Sequence, residues 1–304
     1  MSSPAGPAPL ADDGAVADRG RLDADLSPSR SARDAEGEVG RWISGTAEAR
    51  ATEGLKVRLG LAYGPAARQR LDVFEAPDVP VPPPGRPVLV FIHGGFWQEG
   101  DIDGAGFAAP VFARAGWLFV SVGYTLAPAA SLGQIIGEIR AALTEVRRAV
   151  ADWGGDPARI VVAGHSAGGH LAACLACGID GSLAGLAADD EDALQPAGLL
   201  LISGVFDLRP IARSIVNDAV RMSADEARAW SPALRQPLPR RPPLPVHVVV
   251  GAAEPAEFLR QSRLLAERWR DAVALTITVL PDRDHFDVLA AALRPERVPA
   301  QPDS

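Results

Sequence analysis

Hydrophobic residues along the chain form short runs, separated by longer stretches in which they recur every three or four positions. The runs at 88–92 and 117–122 are apolar almost throughout, which is typical of strands buried on both faces of a sheet. Four further runs predict strands at 159–163, 198–203, 245–250 and 275–280. Because helical stretches alternate with these runs, the pattern predicts an α/β fold with a mostly parallel central sheet, helices on both faces and right-handed crossovers.

The clearest helical stretch spans residues 131–153, where one apolar stripe is formed by Ile135, Ile139, Leu143, Val146 and Val150. A small insertion separates the sixth strand from the seventh. Within it, Ser223 and Glu226 predict a capping box that opens a short helix near Trp230. We expect this insertion after the sixth strand to roof a functional site.

The first third of the chain has a different pattern. From Asp34 onward, apolar residues at helical spacing predict an amphipathic helix, with a stripe of Val39, Trp42, Ile43 and Ala47. Residues 56–63 and 70–74 predict two strands joined through a Gly-Pro turn, as an antiparallel hairpin at the sheet edge. Residues 1–20, rich in Ala, Pro, Gly and Asp, are expected to be a disordered tail. A single domain is therefore predicted over residues 21–296, with a C-terminal tail at 297–304.

The composition is that of a globular protein and narrows the set of partners. The chain has 304 residues, of which 47% are hydrophobic and 22% charged, and its formal net charge is −8. Nucleic acids and anionic membranes are bound by clustered Lys and Arg, so this acidic balance argues against both as partners. Two cysteines are too few for a disulfide scaffold, and we read no signal peptide, so we expect a cytoplasmic protein.

Residues 160–179 contain no Asp, Glu, Lys or Arg over the length of a membrane span. Four glycines, two histidines and a serine make this segment poor material for a helix in lipid. We interpret it instead as a buried strand, a tight turn and a buried helix. Cys174 and Cys177 lie in that helix at i, i+3 spacing, and we expect them to pack as small core residues, because zinc would need a further pair of ligands.

The turn in this segment carries the pattern G-x-S-x-G at residues 164–168, with Ser166 at its centre. Because the pattern follows a β-branched run and precedes a helix-forming stretch, it resembles the nucleophile elbow of the α/β-hydrolase fold. In such a turn the serine has strained backbone geometry, and glycines let the neighbouring chains approach closely. The helix that follows points its N-terminus at the reacting oxygen. The sequence therefore predicts Ser166 as a nucleophile.

Residues 93–97, His-Gly-Gly-Phe-Trp, come directly after the strand at 88–92. Adjacent glycines leave backbone N–H groups unobstructed, so that they can stabilise a developing oxyanion. Alone, this segment would be an ordinary turn, but upstream of a nucleophile elbow it matches the H-G-G loop of lipases and esterases. We predict Gly94 and Gly95 as oxyanion donors, with the N–H of Ala167 as the third, and expect His93 to brace the loop.

Chain order selects the base among the five histidines. In the α/β-hydrolase order the base follows the nucleophile and the acid, and only His285 lies in a loop after the last predicted strand. The acid is expected after the strand at 245–250, where Glu254 stands in a short loop. Asp207, after the preceding strand, is the alternative acid, and Glu257, one helical turn beyond Glu254, fits less well.

Several segments together resemble the kynurenine formamidase (arylformamidase) family of α/β-hydrolases, which remove formate from N-formylkynurenine in tryptophan breakdown. The likeness is most specific in the H-G-G-x-W loop and in Phe206-Asp207-Leu208. It also includes the elbow and the segments 27–30, 63–64, 203–211, 257–262 and 284–286. One departure is that Glu254 stands where the family has its catalytic aspartate.

The resemblance implies that a Ser166–His285–Glu254 triad cleaves the formamide of a small-molecule substrate through a formyl-enzyme, with no metal or organic cofactor. Phe96 and Trp97 are candidate substrate-binding residues, because their rings would narrow the acyl side of the pocket and face an arylamine. The main alternative is a carboxylesterase for small aryl or short-acyl esters. A catalytically silent receptor is a further alternative, against which the intact serine, histidine and glycine loop argue. The oligomeric state stays open, with a homodimer among the options.

Overall fold

The computed structural model describes residues 19–182 and 194–299. Its strands are β1 (Lys56–Ala62), β2 (Arg70–Glu75), β3 (Arg86–Ile92), β4 (Leu118–Val122), β5 (Gly155–His165), β6 (Gly198–Ile202), β7 (Pro245–Gly251) and β8 (Ala274–Leu280). They form one sheet in the order β1-β2-β4-β3-β5-β6-β7-β8. The pairs β1–β2 and β2–β4 are antiparallel, and the others are parallel. The mostly parallel sheet and its antiparallel edge hairpin are therefore confirmed.

The helices of the described ranges are α1 (Arg19–Asp25), α2 (Ala35–Ala51), α3 (Ala109–Arg114), α4 (Leu132–Ala149), α5 (Ala167–Ala176), α6 (Asn217–Val220), α7 (Ala224–Ala229), α8 (Ala256–Trp269) and α9 (Asp287–Ala292). Short 3₁₀ turns lie at Pro28–Arg30, Ile102–Gly104, Val150–Trp153, Ile211–Arg213, Pro232–Leu234 and Pro295–Arg297. Helices cover both faces, since buried residues of α4, α5 and α8 pack on one side of the sheet and those of α2, α3 and α9 on the other.

Strand β3 shows how the sequence produces this two-sided core. Val88, Val90 and Ile92 pack into the layer that contains α4, while Leu89 and Phe91 pack into the opposite layer. Side chains of a strand alternate between faces, so a strand covered on both sides must be apolar at every position. The predicted helical stripe of α4 is buried as well, and a capping box between Ser131 and Gln134 fixes where this helix begins.

Every strand differs from its predicted range at one or both ends, mostly by one or two residues, and two of the differences have an identifiable reason. β5 begins at Gly155, four residues early, because Gly155 is already in register with Arg86 of β3. β6 ends at Ile202, one residue early, because Ser203 has a positive φ of 49° and leaves the extended conformation. The strand therefore ends in an abrupt backbone turn at the carboxyl edge of the sheet.

Helix α2 forms as predicted, but the stripe that it buries is different. Asp34 caps the helix by accepting a hydrogen bond from Gly37 N at 3.0 Å. Val39 and Ile43 are exposed, by 37% and 50%, and Ala47 is exposed too, so the predicted buried face is wrong. The helix instead packs into the core layer through Trp42 and the small residues Thr46 and Ala49. This face is offset from the more hydrophobic one because small side chains allow closer approach.

The structure describes part of each predicted tail and the whole insertion. Residues 1–18 of the predicted tail lie outside the described ranges, whereas residues 19 and 20 already belong to α1. At the other end Arg297 belongs to a 3₁₀ turn, and its carbonyl contacts His247 Nδ1 at 2.8 Å. The insertion after β6 spans residues 203–244, and the predicted capping box of Ser223 and Glu226 opens α7 there.

Candidate active site

Ser166 occupies the sharp turn between β5, which ends at His165, and α5, which begins at Ala167. Its backbone has φ +54° and ψ −120°, a strained combination for a residue with a side chain. A Cβ at Gly164 would lie 2.1 Å from Gly168 O, so the close approach of the backbone at these two residues requires glycine at position 164. The turn therefore places Ser166 at the carboxyl edge of the parallel strands.

The loop after β3 lies directly against this turn. A Cβ at Gly94 would lie 3.0 Å from Ser166 Cβ, and Gly95, Phe96 and Trp97 have φ values of 103°, 46° and 61°. Three consecutive left-handed residues reverse the chain within a short distance. Among the described residues, the backbone N–H groups of Gly94 and Gly95 donate no hydrogen bond to the protein. Both groups are therefore available beside the serine.

The third N–H predicted for this site belongs to Ala167, the first residue of α5. N–H groups in the first turn of a helix have no acceptor within the helix, and the helix dipole places partial positive charge there. Together with Gly94 and Gly95, Ala167 provides backbone donors on the elbow and on the loop next to it. Such an arrangement can stabilise a negatively charged oxygen bonded near Ser166.

His93 braces the glycine loop, in agreement with its expected role. Its Nδ1 lies 2.9 Å from Gly94 O, and its ring stacks on Tyr124 with the ring centres 4.3 Å apart. The hydroxyl of Tyr124 in turn donates to His93 O at 3.0 Å. Burial lowers the pKa of His93 to about 4, so this imidazole is neutral at physiological pH.

His285 and Glu254 are in direct contact. His285 lies in the loop between β8 and α9, and its Nδ1 is 2.7 Å from Glu254 Oε2. The second carboxylate oxygen, Oε1, accepts hydrogen bonds from Gly251 N at 2.6 Å and from Ser203 Oγ at 2.5 Å. Because an ionised carboxylate only accepts, Nδ1 carries the hydrogen and Nε2 of the neutral ring keeps its lone pair. This pair can therefore act as an oriented general base.

The imidazole of His285 is held on two further sides. The ring of Phe258 in α8 lies 4.2 Å away between centres, and that of His165 lies 4.8 Å away. His165 Nε2 also donates to the carbonyl of His285 at 2.9 Å. Since His165 directly precedes Ser166, this contact joins the elbow to the loop of the base. Burial lowers the pKa of His165 well below its ordinary value, so it remains neutral in that role.

Neither of the other two carboxylates weighed from the sequence contacts the base. Asp207 is buried and pairs with Arg209, with an N–O distance of 2.9 Å to each of its carboxylate oxygens. Glu257 accepts from Arg260 and from Gln261 on its own helix. A carboxylate that already pairs with a guanidinium is engaged elsewhere, so the geometry argues against Asp207 as the partner of the base.

The two aromatic residues of the loop occupy different environments. Trp97 is completely buried, and its ring meets His170 edge-on with centres 5.2 Å apart. Trp97 thus packs the loop onto α5 and has no surface to offer a substrate, so its predicted substrate contact is wrong. Phe96 is half-buried, and its ring centre lies 6.5 Å from that of Phe258, which touches His285. Phe96 therefore remains the candidate for contact with substrate.

The insertion after β6 contacts the glycine loop, which supports its expected position over the site. Gln98, just beyond the loop, donates through Nε2 to Val216 O at 2.8 Å. The N-terminal segment reaches the same part of the insertion. Asp23 accepts from Ile215 N at 2.7 Å, and Arg19 forms a hydrogen bond of 2.8 Å with an oxygen of Asp218. Helix α1 is therefore fixed to the part of the insertion that contacts the glycine loop.

Comparison with known proteins agrees with this geometry. Residues 89–286, which include the glycine loop, the elbow and the loop of His285, match the family model described as alpha/beta hydrolase fold. The chain is an α/β-hydrolase.

Individual relatives of this α/β-hydrolase include formamidases and esterases. It is 28% identical to kynurenine formamidase of Danio rerio, over 86% of each chain, which confirms the resemblance predicted from the motifs. Esterase LipQ of Mycobacterium tuberculosis is 31% identical over 78% of this chain and 59% of its own length. Among solved structures, a Silicibacter protein proposed to be a thioesterase is 31% identical, with a TM-score of 0.73 over 90% of this chain and 95% of its own.

Two further findings concern the described part of the hydrolase. There, no helix is both long enough and apolar enough to cross a bilayer, and the uncharged segment 160–179 is the predicted strand, turn and helix. No group of three or more His, Cys, Asp or Glu side chains within the described ranges is placed to hold a metal ion. Cys174 in α5 and Cys177, directly after the end of that helix, are buried free thiols.

Sequence reasoning missed one residue that holds the loop of the base. Arg33, in the N-terminal segment, donates from its backbone N to Asp284 Oδ2 at 3.0 Å. Its guanidinium contacts Asp287 Oδ2 at 2.7 Å and the carbonyl of Asp282. Burial acts to raise the pKa of Asp284, but hydrogen bonds from the N–H groups of Arg33, Phe286 and Asp287 hold it below its ordinary value. No local motif marks Arg33, since its partners are about 250 residues away along the chain.

Proposed function

We propose that this α/β-hydrolase cleaves the formamide bond of N-formylkynurenine by covalent catalysis at Ser166. The observation that carries the catalytic part is the 2.7 Å contact between His285 Nδ1 and Glu254 Oε2, beside an elbow that presents the serine. The substrate is supported by the similarity to kynurenine formamidase over 86% of both chains.

In the first half of the reaction, His285 Nε2 takes the proton of the Ser166 hydroxyl as Oγ attacks the formyl carbon. Glu254 stabilises the imidazolium that forms. The carbonyl oxygen becomes an oxyanion, and the N–H groups of Gly94, Gly95 and Ala167 stabilise its charge. Removing a single donor of this kind costs about 10²–10³ in kcat in enzymes of this chemistry.

In the second half, the C–N bond of the tetrahedral intermediate breaks and His285 returns the proton to the departing arylamine nitrogen. Water then attacks the formyl-serine ester as His285 accepts its proton, the bond from the formyl carbon to Ser166 Oγ breaks, and His285 returns the proton to Oγ as formate leaves. An arylamine is a better leaving group than an alkyl amine, so a site of esterase type can cleave a formanilide. Water is the second reactant, and the reaction involves no change of oxidation state.

A carboxylesterase that acts on small aryl or short-acyl esters is the second candidate. The observation that favours it is the 31% identity to esterase LipQ, which exceeds the identity to the formamidase. The same triad would serve, because ester and anilide hydrolysis share the acyl-enzyme route. The two candidates differ in the leaving group and in the length of acyl chain that the pocket admits.

Steady-state kinetics on N-formylkynurenine and p-nitrophenyl acetate separate the two candidates. The formamidase proposal expects the larger kcat/KM for N-formylkynurenine, with Ser166→Ala inactive on both substrates. Efficient turnover of the ester beside negligible turnover of N-formylkynurenine would replace the formamidase proposal with the esterase one. Undiminished turnover by Ser166→Ala would reject both.

A further inference from the structure

Ser203 is a buried serine with a backbone conformation that serine rarely adopts. It follows β6, is 0% exposed and has φ +49°. Its N–H is fixed by a 2.8 Å hydrogen bond to Val249 O in β7, so the residue is held between two neighbouring strand ends. The left-handed region costs residues with a side chain roughly 1–2 kcal/mol, and glycine adopts it freely.

Within residues 19–182 and 194–299 the Ser203 hydroxyl makes one hydrogen bond, and its acceptor is the carboxylate that orients the base. Oγ lies 2.5 Å from Glu254 Oε1, while Glu254 Oε2 contacts His285 Nδ1 at 2.7 Å. The carboxylate only accepts, so Ser203 donates. A short hydrogen bond to a charged acceptor is among the stronger interactions in a protein interior.

Two donors fix the plane of the Glu254 carboxylate. Gly251 N reaches Oε1 from the end of β7, and Ser203 Oγ reaches the same oxygen from the end of β6. With one donor the group could turn about its terminal bond and move Oε2 away from the imidazole. Glutamate has one more rotatable bond than aspartate, so its carboxylate needs more external restraint to hold the same position.

We infer that Ser203 is a positioning residue, which acts through Glu254 to hold His285 in the orientation needed for proton transfer. The inference rests on the proposed Ser166–His285–Glu254 triad. Strained residues persist where the surrounding structure holds them in place and their side chains are used. The contrasting role would be purely structural, with the hydroxyl as one more satisfied polar group of the core.

Ser203→Ala and Ser203→Gly distinguish these roles, because both remove the hydroxyl but only glycine relieves the positive φ. We expect kcat on p-nitrophenyl acetate to fall about 10- to 100-fold in both variants, as for the loss of a charged hydrogen bond, with KM within about twofold of the parent. The glycine variant is expected to melt at a higher temperature than the alanine variant. Ser203→Thr, which keeps the hydroxyl, is expected to retain more kcat than either although it is the most strained.

Ser121→Ala is the matched control, since Ser121 is a fully buried serine whose hydroxyl bonds Ala105 O away from the triad. It is expected to lower the melting temperature and leave kcat unchanged.

The inference is overturned if Ser203→Gly and Ser203→Ala keep kcat within twofold of the parent, or if kcat follows melting temperature across the series. Ser166→Ala and Glu254→Gln are measured alongside. If those two retain activity, the triad itself is wrong, whereas if they lose activity and the Ser203 variants keep it, only the role of Ser203 is rejected.

Discussion

At the scale of single residues, the orientation of His285 depends on one of the two acids that chain order allowed. Glu254 contacts the imidazole at 2.7 Å, while Asp207 is occupied by Arg209. Chain order admitted both acids, because each follows a strand whose end lies near the elbow. The two acids are distinguished by hydrogen bonds between loops that are distant in the chain. Those hydrogen bonds depend on side-chain directions that a single sequence does not encode locally.

Exchange of each acid for its amide tests this difference. Glu254→Gln is expected to lower kcat by about 10³–10⁴, because a neutral amide neither stabilises the imidazolium nor fixes the tautomer. Asp207→Asn should lower the melting temperature, since the buried Asp207 would lose its charged pairing with the partly exposed Arg209, and should leave kcat within a few-fold of the parent. Kinetics and thermal melts of both variants provide the measurement, and the reverse ranking of the two kcat values would assign the acid to Asp207.

Phe96 is the residue expected to limit the acyl group. Its ring centre lies 6.3 Å from that of Trp97 and 6.5 Å from that of Phe258, the ring that contacts His285. Phe96→Ala is expected to raise kcat/KM for butyryl relative to formyl esters of one phenol by at least about tenfold, since each methylene in a tight pocket is worth about that much. Phe107→Ala, a half-buried ring stacked on Trp42, is the control. An unchanged ratio in Phe96→Ala would remove Phe96 from the acyl pocket.

At the scale of elements, the loop between β8 and α9 is held by a segment from the other end of the chain. Arg33 contacts the loop residues Asp282 and Asp284 and the first residue of α9, Asp287. Its side chain is 62% exposed, so each ion pair contributes little to global stability. We expect the contacts of Arg33, taken together, to keep the loop that carries His285 ordered.

Arg33→Ala should therefore loosen the loop more than it weakens the fold. We expect faster amide hydrogen exchange in residues 282–288 and a several-fold lower kcat, with a melting temperature close to that of the parent. Arg41→Ala is the control, because Arg41 is similarly exposed and pairs with Asp34 and Glu38 within the N-terminal region. Equal exchange in the two variants would show that Arg33 does not restrain the loop.

The elements also show what the sequence could predict and where it could not. The buried strands follow from continuous apolar runs and the α4 stripe from apolar residues at every third or fourth position, and glycine spacing marks the elbow and the 93–97 loop. The prediction of the buried face of α2 is wrong because the helix packs through Thr46 and Ala49, where small size outweighs hydrophobicity. The predicted substrate contact of Trp97 is wrong because the turn of the loop directs this side chain into the core. Ser203 and Arg33 were missed because their partners are distant in the chain.

At the scale of the whole molecule, three buried imidazoles make stability depend on pH. Burial lowers the pKa of His93 and His170 to about 4 and that of His165 well below its ordinary value. The unfolded chain titrates near 6.5, so between pH 6.5 and about 4 the unfolded state binds more protons than the folded one. This stabilisation is complete above pH 6.5 and is lost as the pH falls through that window.

Urea unfolding between pH 7 and pH 4.5 measures this dependence. With three such histidines the free energy of unfolding should fall by up to about 4 kcal/mol per pH unit near pH 5. His170→Gln, which can keep a donor to Trp230 O, is expected to reduce that slope by about a third. A slope that is the same in the parent and in His170→Gln would mean that His170 is not buried in its neutral form.

The central claim, that hydrolysis proceeds through Ser166 activated by His285 and Glu254, is tested most directly by covalent labelling with a fluorophosphonate, followed by peptide mass spectrometry. Such a probe reacts with a serine only where a base activates it beside an oxyanion site. We expect one adduct, on the peptide that contains Ser166, at a rate strongly reduced in Glu254→Gln. Labelling at a different serine, or full hydrolytic activity in an enzyme already labelled at Ser166, would contradict the account.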